Sequence, residues 1–264
     1  MNRIDEKFSE LKKIGKKALI TFVTAGDPDL QTTQGLVREM ASKGADIIEL
    51  GVPFSDPVAE GPVIQAANAR ALSKDLKIAN IMSAVREMRK DVNVPLLYLL
   101  YFNSILQYGI GRFFENCKAS GIDGVIIPDL PFEERKEVEE SAEANEIIII
   151  TLVSPASGDR IKTIAENARG FLYCVSSLGV TGVRKDFDTD FKEFFGYIDS
   201  ATDIPKALGF GISSARQVKD LKSYCDAVIV GSAIVKIIGD SVQPADAIKN
   251  TGAFVQQLRE ALDS

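Results

Sequence analysis

The feature that most constrains the fold of this chain is a regular alternation of short apolar segments with longer amphipathic segments. The apolar segments have the length and composition of buried strands, and the segments between them place apolar residues at helical spacing. Such alternation implies parallel strands joined by right-handed crossover helices. The predicted strands are 18–24, 46–50, 95–102, 122–127, 146–153, 171–176, 205–208 and 226–230.

Eight strand–helix units fit within 264 residues without a linker or a low-complexity segment. This arrangement favours one α/β domain spanning 1–264, folded as a closed (β/α)8 barrel of the TIM type. The first strand–helix turn lacks the GxGxxG pattern of an open dinucleotide-binding sheet.

Apolar residues at helical spacing from Ile4 to Ile14 predict an extra N-terminal helix. Further helices are predicted at 30–43, 62–73, 77–90, 103–108, 111–119, 132–145, 158–167, 187–199, 214–223 and 244–262, with a short one after Ser232.

Composition limits the chemistry that the chain can perform. Histidine is absent, which excludes histidine-dependent triads and the commonest transition-metal sites, so we expect no metal centre. The three cysteines include no CxxC pair and residues 1–17 lack the apolar core of a signal peptide, which together predict a cytoplasmic protein. A net charge of −6 without a basic run argues against nucleic-acid binding. No apolar run reaches the roughly 20 residues of a membrane span.

Carboxylates cluster around the end of the second predicted strand, in the segment IIELGVPFSDPVAEGPVIQ at 47–65. Glu49 lies at the carboxyl end of the strand, and Asp56 and Glu60 lie on a loop that prolines stiffen by fixing φ. Because a (β/α)8 barrel places its chemistry at the carboxyl ends of its strands, this layout is typical of an acid/base site. The alternative is a strand-end carboxylate that turns to water or pairs with a lysine.

Glycine-rich turns follow the seventh and eighth strands, where many such barrels bind phosphate. Gly231 and Ser232 stand at the start of the helical segment AIVKII, whose free N–H groups and partial positive charge would face an anion. Gly209 and Gly211 would allow the backbone to approach a ligand closely. These turns predict a phosphate site, and ordinary turn glycines are the alternative.

An apolar slot and a long loop complete the predicted site. Phe22, Ile64, Leu100 and Tyr173 would together form a slot for a flat aromatic ring, although they equally suit the core of a barrel. The sixth loop, SLGVTGVRKD at 177–186, is long, charged and glycine-containing, which is typical of a lid. An ordinary surface loop is the alternative interpretation.

The motif GVPFSDP after IIEL closely resembles the alpha subunit of tryptophan synthase, and LGVTG, GFGIS and GSAIVK extend the resemblance over most of the chain. The resemblance implies retro-aldol cleavage of indole-3-glycerol phosphate into indole and glyceraldehyde 3-phosphate, in tryptophan biosynthesis. It assigns the proton transfers to Glu49, the stabilisation of positive charge at the indole nitrogen to Glu60, and the four slot residues to the indole ring. It assigns the phosphate to a pocket lined by Gly182, Phe210, Gly211, Gly231 and Ser232.

The same resemblance implies a partner. Thr181 would bridge to Asp56 when substrate is bound, and the loop that carries Pro53 and Asp56 would dock a beta subunit in an alpha2beta2 assembly. No cofactor is expected in this chain, because pyridoxal phosphate belongs to the beta subunit.

Two residues depart from the family pattern. Glu60 replaces the usual aspartate, which moves the carboxylate by roughly 1.5 Å, and Val175 replaces a residue that is larger in some relatives.

Three other functions stay open at this point. Another phosphate-binding enzyme on the same barrel would often use a strand-end lysine, but the candidate Lys206 begins the seventh strand and so lies at the wrong end. A mainly regulatory subunit with weak activity would not need a pair of carboxylates. A stand-alone indole-glycerol-phosphate lyase would need no docking surface.

Overall fold

The computed structural model of the chain describes residues 1–175, 191–209 and 211–264. Within these residues, eight parallel strands pair in sequence order and close into a barrel, so that the first strand contacts both the second and the eighth. This topology confirms the predicted (β/α)8 TIM barrel. The strands are β1 Ala18–Thr24, β2 Ile47–Gly51, β3 Leu96–Leu99, β4 Gly124–Ile126, β5 Ile148–Val153, β6 Leu172–Val175, β7 Lys206–Gly209 and β8 Ala227–Val230.

Helices connect the strands and surround the barrel. In the described ranges they are α1 Arg3–Lys13, α2 Leu30–Ser42, α3 Pro62–Leu72, α4 Ile78–Met88, α5 Phe102–Tyr108, α6 Ile110–Ser120, α7 Lys136–Ala144, α8 Arg160–Glu166, α9 Phe191–Asp199, α10 Ala215–Leu221, α11 Ser232–Asp240 and α12 Pro244–Asp263. The predicted helix 132–145 is divided into a 3-10 turn, Phe132–Glu134, and α7. Within the described part of the chain, no helix is both long and apolar enough to cross a bilayer.

The strands bury both of their faces, and successive side chains alternate between two apolar layers. On β2, Ile47 belongs to the cluster inside the barrel, whereas Ile48 and Leu50 belong to the outer cluster beneath the helices. Glu49 shares its face with Ile47, so the fold directs this carboxyl into the barrel.

Helix α1 closes the end of the barrel at which the strands begin. Its apolar residues Ile4, Phe8 and Leu11 join the interior cluster. Asn2 caps the helix and donates hydrogen bonds from Nδ2 to the carbonyl oxygens of Asp123 at 2.9 Å and Glu146 at 3.0 Å, just before β4 and β5. The predicted N-terminal helix is therefore confirmed, and it leaves the opposite, carboxyl end of the barrel open for a site.

Candidate active site

A cavity opens at the carboxyl end of the barrel and holds about 640 Å³ of empty space, part of it open to solvent. Six of the strands supply one lining residue each, and the rest come from the loop before α3, from α3 itself, from the segments after β4 and β7, and from the start of α11. Among the described residues its lining consists of Phe22, Glu49, Ala59, Glu60, Ile64, Leu99, Pro128, Leu152, Tyr173, Gly211, Ile212, Ile229, Gly231 and Ser232. The structure thus brings together eight of the residues that the sequence placed in one site: Phe22, Glu49, Glu60, Ile64, Tyr173, Gly211, Gly231 and Ser232.

Glu49 is the most buried polar side chain among the described residues that line the cavity. It pairs in register with Phe22 on β1 and with Leu97 on β3, and it is only 1% exposed. Neither of its carboxyl oxygens has a hydrogen-bond partner among the described residues. Burial without compensating donors raises its pKa from the ordinary 4.5 to about 8. Glu49 is therefore a protonated acid at neutral pH.

Glu60 has a different environment, on the loop between β2 and α3. It is 5% exposed, and Asn68 Nδ2 donates a hydrogen bond to its Oε2 at 2.6 Å. Burial raises the pKa of Glu60 to about 7, while the bond from Asn68 works in the lowering direction. Two neighbouring bonds hold the loop: Gln65 Nε2 donates to the Glu60 carbonyl at 2.7 Å, and Ala59 N donates to Tyr101 Oη at 3.0 Å. Glu60 is therefore the more readily ionised of the two carboxyls.

Glycines make room for the aromatic walls of the cavity. A Cβ at Gly51 would lie 2.5 Å from Phe22 Cζ, and one at Gly209 would lie 2.9 Å from Tyr173 Oη. The sequence predicted that Gly209 lets the backbone approach a ligand, whereas in the structure its missing side chain accommodates Tyr173. Burial and the nearby Glu49 carboxyl raise the pKa of Tyr173 well above its usual value, so its hydroxyl stays protonated.

The part of the cavity at the start of α11, its anion end, suits an anion. Gly231 is the residue before α11, and no side chain caps this helix terminus. Gly231 and Ser232 both line the cavity, so the free N–H groups of the first turn lie at its wall. Gly211 adopts a φ of 83°, which a residue with a side chain rarely adopts.

Leu100 does not line the cavity, contrary to the prediction. It belongs to the outer cluster between the barrel and its helices, and Leu99 faces the cavity in its place. Side chains alternate between the two faces of a strand, so a shift of one residue moves a side chain from one layer to the other. Val175 packs against the interior cluster and is likewise not part of the cavity lining.

The residues predicted for the docking loop have different exposures. Asp56 is exposed and accepts a short hydrogen bond from Ser55 Oγ, whereas Pro53 is buried and can only shape the loop from within. The predicted contacts of Thr181, Gly182 and Phe210 lie outside the described residues.

Sequence reasoning missed six lining residues and one supporting residue. The lining residues are Ala59, Leu99, Pro128, Leu152, Ile212 and Ile229. Leu152 and Ile229 each lie one residue before the end of a strand, so inward alternation from the strand end could have identified them. Asn68 carried a signal too, because it interrupts an otherwise apolar helical face.

Cations are scarce at this site. No lysine or arginine contributes to the cavity wall within the described residues. No group of three or more acidic or cysteine side chains suited to hold a metal ion occurs in the same part of the chain. The chemistry available to the described residues is therefore proton transfer by carboxyls and anion binding by backbone N–H groups.

Comparison with known proteins agrees with this geometry. Residues 8–263 match the family model described as tryptophan synthase alpha chain. The tryptophan synthase alpha chain of Caldanaerobacter subterraneus subsp. tengcongensis is 52% identical over 262 residues, covering 99% of this chain and 100% of the relative. That of Clostridium kluyveri is 48% identical and covers 100% of both chains. The crystal structure of the Legionella pneumophila alpha chain superposes with a TM-score of 0.91 at 33% identity, over 100% of this chain and 98% of that one.

Proposed function

The chain belongs to the tryptophan synthase alpha chain family, and from this premise we propose that Glu49 and Glu60 perform the family's reaction in the cavity at the carboxyl end of the barrel. The reaction is the retro-aldol cleavage of indole-3-glycerol phosphate into indole and glyceraldehyde 3-phosphate, which makes the protein a carbon–carbon lyase. One observation carries the assignment of the residues. The protonated carboxyl of Glu49, which has no hydrogen-bond partner in the described part of the chain, lies in an apolar cavity that also contains a second carboxyl and a helix N-terminus that no described side chain caps.

Glu49 begins the reaction as the acid. Cleavage requires that indole C3 be protonated, because the ring must accept the electron pair of the broken carbon–carbon bond. A carboxyl with a pKa of about 8 holds the necessary proton at neutral pH, because burial in apolar surroundings disfavours its ionised form. Transfer of this proton to C3 leaves Glu49 ionised and places positive charge on the ring nitrogen.

Glu60 stabilises that charge. A carboxylate placed where positive charge develops is typically worth several kcal/mol in a site that excludes water. The bond between C3 and the glycerol carbon then breaks, and its electron pair returns to the ring and restores neutral indole. The hydroxyl on the released carbon loses its proton to the ionised Glu49 and becomes the aldehyde, so Glu49 recovers its proton and the cycle closes.

The cavity also supplies the binding contacts. Phe22, Ile64, Leu99 and Tyr173 form walls for a flat indole ring, with Leu99 taking the place predicted for Leu100. The N–H groups at the start of α11 and the turn at Gly211 would bind the phosphate, and no lysine or arginine of the described ranges lines the cavity beside them. We propose Thr181, Gly182 and Phe210 as further substrate contacts on the basis of the family resemblance.

The family implies a beta-subunit partner, and we propose the alpha2beta2 assembly for this chain. The exposed Asp56 on the loop after β2 would belong to the docking surface. We further propose that residues 1–264 form one domain, that the protein acts in the cytoplasm, and that it needs no cofactor of its own because pyridoxal phosphate belongs to the partner.

Glu49→Gln tests the proposal, because glutamine keeps the shape of the side chain and removes its proton chemistry. Indole release from indole-3-glycerol phosphate is measured with and without a beta subunit, beside a control, Glu137→Gln, at an exposed position of α7. We expect the first variant to fold and to lose at least about 100-fold in rate, and the control to match the parent. Substantial turnover by Glu49→Gln refutes the assignment, and a parent that releases no indole would make the chain a regulatory subunit.

A further inference from the structure

A buried amide lies behind the second carboxyl. The buried face of α3 consists of Ile64, Ala67, Asn68 and Ala71, of which Asn68 is the polar member. Asn68 is 3% exposed, so its amide cannot turn to solvent, and its Nδ2 donates to Glu60 Oε2 at 2.6 Å. Because hydrogen bonds to charged groups are shorter than neutral ones, this distance is typical of a donor to a carboxylate.

The helix that carries Asn68 is firmly anchored. Two residues further along, Arg70 donates to both oxygens of Asp27, at 2.8 and 2.7 Å, and Asp27 is 2% exposed in the turn that follows β1. Arg70 also packs on α11, where a Cβ at Gly239 would lie 3.0 Å from Arg70 Nη2. Helix α3 is thus tied both to the strand that carries Phe22 and to the helix at the anion end of the cavity, and this holds Asn68 in place.

The two carboxyls differ in this one donor. Glu49 has no hydrogen-bond partner among the described residues, whereas Glu60 has Asn68. An amide N–H favours the ionised form of a carboxyl without adding a charge to the cavity. It also fixes the side-chain torsions of a flexible glutamate, which would otherwise spread the carboxylate over several positions.

Other ionisable groups near Glu60 do not provide such a donor. Glu49 and Tyr173 line the same cavity, and the hydroxyl of Tyr101, on the segment after β3, accepts a hydrogen bond from the backbone of the Glu60 loop. Asp129 faces Tyr101 from the segment after β4. Within the described residues, no lysine or arginine lines the cavity wall beside these groups. The electrostatic environment of Glu60 therefore favours its neutral form, whereas the hydrogen bond from Asn68 favours its ionised form.

We propose that Asn68 is a positioning residue for the lyase reaction: its amide holds Glu60 as an oriented anion, while Glu49, which has no such donor among the residues described, remains the acid that carries the proton. The inference deepens the proposed function and rests on the role given there to Glu60. According to this inference, a side chain that does not line the substrate cavity determines which carboxyl acts as the anion and which acts as the acid.

Asn68→Ala and Asn68→Asp test the proposal, with Asn116→Ala as a matched control. Asn116 also lies on a helix, α6, and its amide donates to Arg112 O at 2.9 Å, so the control removes a comparable side chain. The value of kcat/KM for indole release is measured across pH 5.5–9.5. We expect the acid limb of the profile, which reports ionisation of Glu60, to move upward by about one pH unit in Asn68→Ala. At pH values below that limb, kcat/KM should therefore be about tenfold lower than in the parent. Asn68→Asp should move it further because it adds a like charge, and the control should keep the parent profile.

A carbon-13 titration of glutamate side-chain carboxyls gives a readout that does not depend on activity. The Glu60 resonance is identified by its loss in Glu60→Gln. Its midpoint should rise in both Asn68 variants, and Asn68→Asp, which keeps the volume of the side chain, carries the test if Asn68→Ala does not fold.

The outcomes separate this inference from the proposed function. If Glu60→Gln is as fast as the parent, the role of Glu60 is wrong. If Glu60→Gln is slow but the Asn68 variants keep the parent pH profile and the parent Glu60 midpoint, Asn68 has no positioning role and the proposed function stands.

Discussion

Replacing the acid Glu49 by glutamine should stabilise the folded protein at high pH. The pKa of Glu49 rises from the ordinary 4.5 in the unfolded chain to about 8 in the fold, because burial penalises the charged form. Between these two pH values the folded state therefore binds more protons than the unfolded state, and the free energy of unfolding falls as pH rises. The stabilising contribution of the protonated carboxyl is complete below pH 4.5 and is lost by about pH 8.

The magnitude follows from the same two values. One pH unit of difference in pKa corresponds to about 1.4 kcal/mol, so ionising Glu49 in the folded protein costs up to about 5 kcal/mol. Glutamine cannot ionise, so the free energy of unfolding of Glu49→Gln should rise relative to that of the parent by about 4 kcal/mol between pH 5 and pH 9, since the parent has already lost about 1 kcal/mol at pH 5. Water that enters the mouth of the cavity lowers the cost, and we expect a measured gain of at least about 2 kcal/mol.

Urea unfolding of the isolated chain, followed by circular dichroism at pH 5, 7 and 9, measures this gain. Glu137→Gln, at an exposed position, serves as the control, and its free energy of unfolding should change with pH as that of the parent does. If the stability of Glu49→Gln also runs parallel to that of the parent, the carboxyl is not desolvated in the fold and the physical basis for its role as an acid fails.

Substitutions at three further positions test other parts of the site. Glu60→Asp should remain active and Glu60→Ala should be strongly impaired in indole release; equal rates for Glu60→Ala and the parent would show that the second carboxyl is idle. Gly211→Ala should raise KM for indole-3-glycerol phosphate several-fold, because a side chain at φ 83° costs roughly 1–2 kcal/mol and displaces the anion-binding turn; an unchanged KM would exclude this turn from substrate binding. Arg70→Ala should lower the free energy of unfolding, measured with urea, by roughly 1–3 kcal/mol, because it removes the ion pair of the buried Asp27 while Arg70 itself is partly exposed; an unchanged midpoint would mean that the pair does not anchor α3.

The barrel was predictable from the sequence because each strand is short, apolar and followed by a helical pattern. Which face of a strand points inward was predictable only where a polar residue marks it. On β2 the alternation correctly groups Glu49 with Ile47. On β3 the segment LLYLLYF is apolar throughout, so the pattern fixes neither the inward face nor the strand end, and the choice of Leu100 over Leu99 was wrong.

Residues that act through a tertiary contact were harder to predict. Glu60 and Asn68 are eight positions apart, and only the angle between the loop and α3 brings their side chains to 2.6 Å. Gly51 and Gly209 likewise look like turn residues in the sequence, and their role in seating Phe22 and Tyr173 depends on packing between neighbouring strands.

The pH dependence of kcat/KM for indole release tests most directly the central claim that two buried carboxyls in one cavity act as acid and anion. The account predicts a bell-shaped profile, with activity lost below about pH 7 as Glu60 takes up a proton and above about pH 8 as Glu49 loses one. Glu60→Gln should abolish the lower limb and keep the upper one. A profile that stays flat between pH 6 and pH 9, or a lower limb that persists unchanged in Glu60→Gln, would contradict the account.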